Sequence, residues 1–152
     1  MTQLPDEAAA NASVRASLPL KAMRPAEKAH RGIRREAPAG EDHPDYFLHL
    51  TEVAWRLQAA GMPDEDIAAG FLHDVIEDCD YERDSLTAAI GNAEVADPVE
   101  WVSEPDADHA SWQARNSGYR ERLACAPGAA RALSCADKTA NSEDMLRLVR
   151  KG

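Results

Sequence analysis

The sequence predicts an all-α domain, and three observations support this fold class. No segment shows the sustained alternation of apolar and polar residues that marks a half-buried strand, and no hairpin dipeptide separates two apolar runs. Several segments instead combine apolar residues at helical spacing with a glycine or proline stop, as at Gly61-Met62-Pro63. The 152 residues and the apolar fraction of 44% suit one domain with its own core. We therefore expect one helical domain at residues 20–152, preceded by a flexible tail at residues 1–19.

The first three predicted helices are separated by short segments rich in proline, glycine and aspartate. The first helix covers residues 20–35 or begins at Pro25, because a proline is tolerated in the first helical turn and interrupts hydrogen bonding further along. The second follows a loop at residues 37–45 and ends before Pro63. Asp64 caps the start of the third. We place these helices at residues 20–35, 46–60 and 65–77.

Four shorter or less apolar helices complete the predicted domain. Gly91 ends the first of them, and Pro98 lies near the first turn of the next. An acidic loop then precedes a helix that begins at Trp112, and Pro127-Gly128 separates that helix from the last one. We place these four helices at residues 85–91, 96–102, 112–125 and 129–150.

The motif around which the chain is organised is Phe-Leu-His-Asp-Val-Ile-Glu-Asp at residues 71–78. His73 and Asp74 are adjacent. Glu77 lies four residues after His73, and Asp78 lies four residues after Asp74. On a continuous helix this spacing turns all four side chains toward one cavity. An imidazole and a carboxylate suit a divalent metal that activates water, and burying three acids with a histidine is costly without a cation. The pair on its own also fits a surface pair or a helix cap.

Two more residues are candidate metal ligands, each with a simpler alternative. His49 lies among apolar residues of the second predicted helix, where it is either a buried core histidine or a ligand. Asp137 follows another apolar stretch, and a buried carboxylate must be paired or bound to a metal. Lys138 directly after it could supply an ion pair. These residues alone leave both alternatives open.

The charge of the chain excludes some classes of partner. The net charge of −10 argues against generic binding to nucleic acid or to an anionic membrane, because both need a basic face. No run approaches the length of a membrane span, and no secretory signal is visible, so we expect a cytoplasmic protein. A bound cation and local arginines can still attract a small anionic substrate. One basic island, either an anion site or a solvated helix face, comprises Lys28, His30, Arg31, Arg34 and Arg35.

The cysteines are odd in number and unevenly spaced. This pattern fits neither a disulfide framework nor a zinc motif, so we expect reduced packing residues. They are Cys79, Cys125 and Cys135.

Five segments, taken in order, resemble one known family. They are Ala-His-Arg-Gly-Ile-Arg-Arg at residues 29–35, Tyr-Phe-Leu-His at 46–49, Glu-Val-Ala at 52–54, the motif at 71–78, and Ala-Asp-Lys at 136–138 followed by Asn141. Together they resemble the HD-domain hydrolases of the stringent response, which include the Rel/Spo-type hydrolase domain and the small stand-alone alarmone hydrolases. The resemblance runs from about residue 20 to the C-terminus. It implies an HD-domain helical bundle that binds one Mn²⁺ and removes the 3′-pyrophosphate from (p)ppGpp.

The resemblance also implies roles for individual residues. Glu77 and Asp78 would orient and deprotonate the attacking water. The ligand set would accept Mn²⁺ and also other divalent metals. The implied metal ligands are His49, His73, Asp74 and Asp137. The implied contacts to a small anionic nucleotide are Arg34, Arg35, Arg115, Lys138 and Asn141.

The chain departs from the family pattern at positions around the implied nucleotide pocket. Glu36, Asn116 and Ala140 stand where the family commonly has lysine, lysine, and an aromatic residue or histidine. These changes keep two alternatives open, an HD phosphohydrolase for another nucleotide or phosphoester and a non-catalytic nucleotide-binding module. The presence of both Glu77 and Asp78 argues against the second, because binding alone does not require them. A synthetase domain is not expected within this length.

Overall fold

The computed structural model describes residues 17–79, 81–104 and 111–151, and the described chain contains eight α-helices. Within these residues the backbone forms no strand, and a single isolated bridge joins Arg34 to Asp45. The all-α prediction is therefore confirmed. The helices are α1 (Leu18–Ala29), α2 (Tyr46–Ala59), α3 (Asp64–Leu72), α4 (Val75–Asp78), α5 (Arg83–Ile90), α6 (Ala93–Val102), α7 (Trp112–Ala124) and α8 (Gly128–Lys151).

Helix α3 is the centre of the core. Every residue from Asp66 to Leu72 is buried, and the helix contacts α1, α2, α6 and α8. It packs closely on α2 because Gly70 has no side chain: a Cβ at this position would lie 2.8 Å from the Cα of Ala54. Apolar side chains from the surrounding helices, including Leu50, Leu57 and Leu133, fill the space around it. The position of the motif at the end of α3 is thus fixed by a helix that is buried from Asp66 to its last residue.

Polar caps and one left-handed glycine set several helix ends. Asp45 accepts a hydrogen bond from the backbone of Phe47 at the start of α2. Asn92 and Ser111 cap α6 and α7 in the same way. Gly91 ends α5 with a φ of 76°, a conformation that suits glycine. These observed ends lie close to the predicted ones, apart from the start of α6.

The prediction for the first helix is wrong at its C-terminal end. Helix α1 ends at Ala29, and Gly32 then adopts a φ of 86°, which a right-handed helix cannot continue. The following residues run beside the start of α2, where the amide of Tyr46 donates to the carbonyl of Ile33. Pro25 lies inside α1, so the alternative start at that residue is also wrong. The basic island is therefore not one helical face.

The prediction of one unbroken motif helix is also wrong. Helix α3 ends at Leu72, His73 and Asp74 form a turn, and the short helix α4 follows. Helix α3 begins at Asp64, with Pro63 at the N-cap position and no side-chain cap. Acidic side chains in the first turn instead favour that end through the helix dipole.

Some predictions concern residues outside the described chain. Most of the predicted tail and most of the acidic loop fall at residues 1–16 and 105–110. Of the described cysteines, Cys125 and Cys135 are exposed, so their prediction as packing residues is wrong, whereas Cys79 is partly buried. Among the helices that the structure describes, none has the length and apolar character needed to cross a membrane.

We predict that Gly70→Ala destabilises the domain, because the added methyl group meets the backbone of Ala54. Overpacking of this kind costs about 1–3 kcal/mol. Gly118→Ala in α7 is the matched control, since a Cβ added at that glycine would meet no atom within 4 Å. Alanine there should raise the free energy of unfolding by up to about 1 kcal/mol. Urea denaturation measures both, and equal stability of the two variants would contradict the packing argument.

Candidate metal centre

Two helices and one turn bring the four predicted metal ligands together. His49 lies on α2, His73 and Asp74 form the turn after α3, and Asp137 lies on α8. The Nε2 atom of His73 is 3.0 Å from Oδ2 of Asp74 and 3.5 Å from Oδ1 of Asp137. The Nε2 atom of His49 is 3.2 Å from the same Asp137 oxygen and 3.8 Å from Oδ2 of Asp74. Two imidazoles and two carboxylates therefore face one small volume.

These distances fit the ligand shell of one cation. Neighbouring ligands bound at about 2.1 Å and about 90° to each other are separated by about 3 Å. Candidate ligand atoms of His49, His73 and Asp74 all lie within 4.8 Å of one another. The Nε2 atom of His73 is buried and has no hydrogen-bond partner among the described residues. A buried nitrogen in this position is satisfied by a metal ion, so the donor set fits a divalent metal.

A backbone carbonyl fixes the orientation of His73. The Nδ1 atom lies 2.8 Å from the carbonyl oxygen of Gly70. A carbonyl only accepts hydrogen bonds, so Nδ1 carries a proton and Nε2 is directed at the ligand cluster. Burial alone lowers the pKa of His73, but the carboxylates of Asp74 and Asp137 outweigh it and raise that pKa to about 10. A cation at this point therefore competes with a proton for Nε2.

Asp74 is held from outside the cluster by a tyrosine. The hydroxyl of Tyr46 donates a hydrogen bond of 2.7 Å to Oδ2 of Asp74. Burial alone raises the pKa of Asp74, but His73 and this hydrogen bond lower it below its ordinary value. Burial and the charge of Asp74 raise the pKa of the Tyr46 hydroxyl, so the phenol remains a donor. Tyr46 thus orients Asp74 and, after His73, helps to favour its ionised form.

Asp137 is held by its own neighbours on α8. Asn141 donates to Oδ1 of Asp137 at 2.7 Å, and the ammonium of Lys138 lies 3.1 Å from Oδ2. Burial raises the pKa of Asp137, but the nearby imidazoles of His49 and His73 outweigh it and hold that pKa well below its ordinary value. The ion pair with Lys138 and the contacts with both histidines coexist, because they use different carboxylate oxygens.

Arg35 holds Asn141, the residue that donates to Asp137. Its Nη2 atom donates to Oδ1 of Asn141 at 2.8 Å, and its Nε atom lies 3.1 Å from Oδ2 of Asp144. The guanidinium also lies 5.5 Å from the centre of the Tyr46 ring. Arg35 and Asn141, both predicted to contact the nucleotide, are therefore hydrogen-bonded to each other beside the ligand cluster.

A cavity of about 190 Å³ opens beside the cluster. Among the residues that the structure describes, five carboxylates line it and Lys138 contributes the one ammonium. Partial burial raises the pKa of Glu77, and the negative charge of Asp74 adds to this effect. Such an excess of negative charge would repel an anionic substrate unless a cation offset it. The five carboxylates belong to Asp74, Glu77, Asp78, Glu104 and Asp137.

The other two predicted nucleotide contacts lie further from the cluster. The Arg34 side chain is 58% exposed, with Nη1 3.8 Å from Oδ2 of Asp45. Arg115 lines a second cavity of about 460 Å³, together with Trp112 and Asn116. The two cavities adjoin, because Glu104 and Lys138 line both.

Sequence reasoning missed two residues of the site. Tyr46 lies three residues before His49 on α2, and this spacing could have indicated a shared helix face. His30 was grouped with the basic island, yet it is fully buried, and its ring stacks on Tyr46 with a centroid distance of 5.0 Å. No sequence pattern brings residue 30 to the motif, because the contact depends on how α1 packs.

Comparisons with known proteins identify relatives. Residues 22–143 match the family model described as HD domain. The guanosine-3′,5′-bis(diphosphate) 3′-pyrophosphohydrolase of Vibrio cholerae is 40% identical over 81 residues, which are 53% of this chain and 11% of that protein. The probable chloroplastic GTP diphosphokinase RSH3 of Oryza sativa subsp. japonica is 37% identical over 106 residues, which are 70% of this chain and 14% of that protein. The chain thus spans only a small part of these relatives.

Two solved structures are similar. One is a metazoan ortholog of SpoT, described as hydrolysing ppGpp and acting in starvation responses; the TM-score is 0.74 at 22% identity, covering 95% of this chain and 74% of that one. The other is lmo0812 from Listeria monocytogenes EGD-e, with a TM-score of 0.58 at 33% identity, covering 72% of this chain and 66% of that one. The first likeness supports the fold.

We predict that Tyr46→Phe weakens the binding of a divalent metal, measured with Mn²⁺ as the probe, about tenfold, because Asp74 loses the hydrogen bond that orients it. Isothermal titration calorimetry on the full chain measures the Kd. Tyr81→Phe is the control, since this partly buried tyrosine packs at the edge of the core, away from the cluster. Equal affinity in the two variants would show that the Tyr46 hydroxyl does not support the site.

Proposed function

The chain belongs to the HD-domain family, and on that premise we propose that it is a metal-dependent hydrolase that removes the 3′-pyrophosphate from (p)ppGpp. One observation carries the proposal: three of the four clustered side chains, those of His73, Asp74 and Asp137, line the same cavity as the carboxylates of Glu77 and Asp78. The reaction named for the Vibrio cholerae relative supports this choice of substrate. The proposed place of action is the cytoplasm, where the reaction would lower the alarmone of the stringent response.

The proposed metal is Mn²⁺, held by the four residues of the cluster. When bound, it would ease the deprotonation of water and offset the charge that builds on the attacked phosphorus. The mixed imidazole and carboxylate set suits Mn²⁺ and other divalent ions of similar chemistry. The proposed ligands are His49, His73, Asp74 and Asp137.

Glu77 is the proposed general base. Its raised pKa brings the carboxyl nearer to the range in which it can take a proton from water and later return it. Asp78, one residue further on α4, would orient the same water. In the balanced reaction, the water oxygen bonds to the phosphorus attached to the ribose. The bond from that phosphorus to the 3′ oxygen breaks, and this oxygen receives a proton as pyrophosphate leaves.

Lys138 is the proposed contact for the pyrophosphate oxygens. Burial lowers its pKa, but Asp137 raises it above the ordinary value, so the side chain stays charged. It lies between the two cavities and can reach a substrate that occupies both. Arg34 and Arg115 remain proposed nucleotide contacts. Arg35 and Asn141 would also contact the nucleotide while keeping the hydrogen bond between them.

A direct test of the reaction is pyrophosphate release from ppGpp by metal-stripped protein, with and without added Mn²⁺. We expect release only when Mn²⁺ is present. Stoichiometric Mn²⁺ binding without any release would overturn the proposed substrate and retain the metal site.

We further predict that two isosteric variants separate metal binding from turnover. Asp74→Asn should weaken Mn²⁺ binding and lose activity together, because the amide is a poor ligand. Glu77→Gln should bind Mn²⁺ within about threefold of wild type and lose about 10²–10⁴-fold in kcat, because the base is absent. Calorimetry and a pyrophosphate assay measure these effects, and equal loss of Mn²⁺ affinity in both variants would refute the division of roles.

A second candidate function is hydrolysis of another nucleotide or phosphoester. The observation that favours it is the second cavity, whose lining includes Asn116 where the family commonly has lysine. A panel of phosphorylated nucleotides distinguishes the two candidates. Selectivity for a 3′-pyrophosphate would reject the second.

A further inference from the structure

His30 is a fully buried titratable side chain near the catalytic cavity. None of its surface is exposed, and it lies directly after the end of α1. Its Nδ1 atom is 3.0 Å from the carbonyl oxygen of Ala26. Since a carbonyl accepts and does not donate, Nδ1 carries a proton, and the orientation of the ring is fixed. The fixed ring directs its other nitrogen away from α1.

One face of the His30 ring supports Tyr46. The two rings are 4° from parallel with centroids 5.0 Å apart, and the Tyr46 hydroxyl donates to Asp74. The stack therefore restricts the tyrosine that holds a metal ligand. An apolar aromatic residue could stack in the same way, so this contact alone does not require a histidine.

The second nitrogen of His30 accounts for the choice of histidine. Its Nε2 atom lies 3.8 Å from Oδ2 of Asp78 and has no hydrogen-bond partner in the described part of the chain. A satisfied core histidine would use both nitrogens, and a buried polar atom without a partner costs about 1–3 kcal/mol. Nε2 of the neutral ring and the Asp78 carboxylate are both acceptors, so they are joined through one water that donates a hydrogen bond to each. The Asp78 side chain is 40% exposed, which leaves room for that water.

A neighbouring contact keeps the two segments together. The thiol of Cys79 donates to the carbonyl oxygen of Ala29 at 3.4 Å. Residues 78–79 at the end of α4 therefore meet residues 29–30 at the end of α1 through two adjacent contacts. The His30–Asp78 approach is part of how the chain packs and does not depend on one exposed rotamer.

We infer that His30 is a positioning residue of the proposed reaction, which holds the Asp78 carboxylate through a water bound at Nε2 and the Tyr46 ring through its face. The inference rests on the proposed function in that Asp78 is taken to orient the attacking water. His30 itself does not contact the substrate. It acts through Asp78, so its loss should change kcat and leave KM and metal affinity nearly unchanged.

The first test uses His30→Phe, which keeps a flat ring against Tyr46 and removes both nitrogens. We expect kcat for pyrophosphate release to fall about tenfold, with KM and the Kd for Mn²⁺ within about twofold of wild type. In an Asp78→Asn background, measured under single-turnover conditions, the same change should cost less than about twofold, because the partner is already altered. An equal loss in both backgrounds would overturn the inference.

Ile90→Ala is the control for a general loss of stability, since Ile90 is a buried core residue of α5. Its unfolding midpoint should fall while its kcat stays at the wild-type value. If Ile90→Ala lowers kcat as much as His30→Phe at similar stability, the effect of His30 is structural only, and the inference fails.

A second measurement needs neither a His30 variant nor a substrate. Imidazole ¹⁵N spectra of the full chain with Mg²⁺ report on both ring nitrogens of His30. We expect Asp78→Asn to move the Nε2 resonance and to leave Nδ1, whereas Ile90→Ala moves neither. An Nε2 chemical shift that is the same in Asp78→Asn as in wild type would overturn the inference. Absence of pyrophosphate release by wild type would instead refute the proposed function, and the ¹⁵N result would still decide whether His30 and Asp78 interact.

Discussion

The structure depends on placing two buried imidazoles beside two carboxylates whose ordinary charges repel each other. His49 and His73 direct their Nε2 atoms at oxygens of Asp74 and Asp137 across 3.0–3.8 Å. Such a cluster is costly in a low-dielectric interior unless positive charge lies at its centre. A divalent cation would supply that charge and would satisfy the nitrogen of His73 that otherwise has no partner among the described residues. The requirement for a cation explains why this end of the core is so acidic.

Helix packing and hydrogen bonds from neighbouring residues hold the four side chains of the cluster in position. The close approach of α2 and α3 at Gly70 brings His49 near the turn that carries His73, and the carbonyl of Gly70 orients that histidine. Each carboxylate then has its own donor, because Tyr46 serves Asp74 and Asn141 serves Asp137. Support of this kind from outside the ligand shell commonly changes metal affinity or activity about 10–100-fold. The cavity beside the cluster is therefore shaped as much by these donors as by the four candidate ligands.

Local sequence signals were sufficient for much of the fold. The loop at residues 37–45 and the stop at Gly91 are signals that act within a few residues, so α2 and the end of α5 were predicted closely, whereas the cap predicted at Asp64 is absent. The break at His73 was not, because helical spacing cannot show that the side chain bonds back to Gly70. The roles of the site residues stay predictions, although the structure brings the four candidate ligands together. The contacts of Arg35 with Asn141 and of His30 with Tyr46 depend on tertiary packing, which no local pattern encodes.

The central claim is that one divalent metal binds where these four side chains converge. Anomalous diffraction from a crystal grown with Mn²⁺, recorded on both sides of the manganese edge, tests it most directly. The account predicts one strong peak within coordination distance of Nε2 of both histidines and of the Asp74 and Asp137 carboxylates. A manganese peak elsewhere, or a fully occupied manganese site beyond coordination distance of His73, would contradict it.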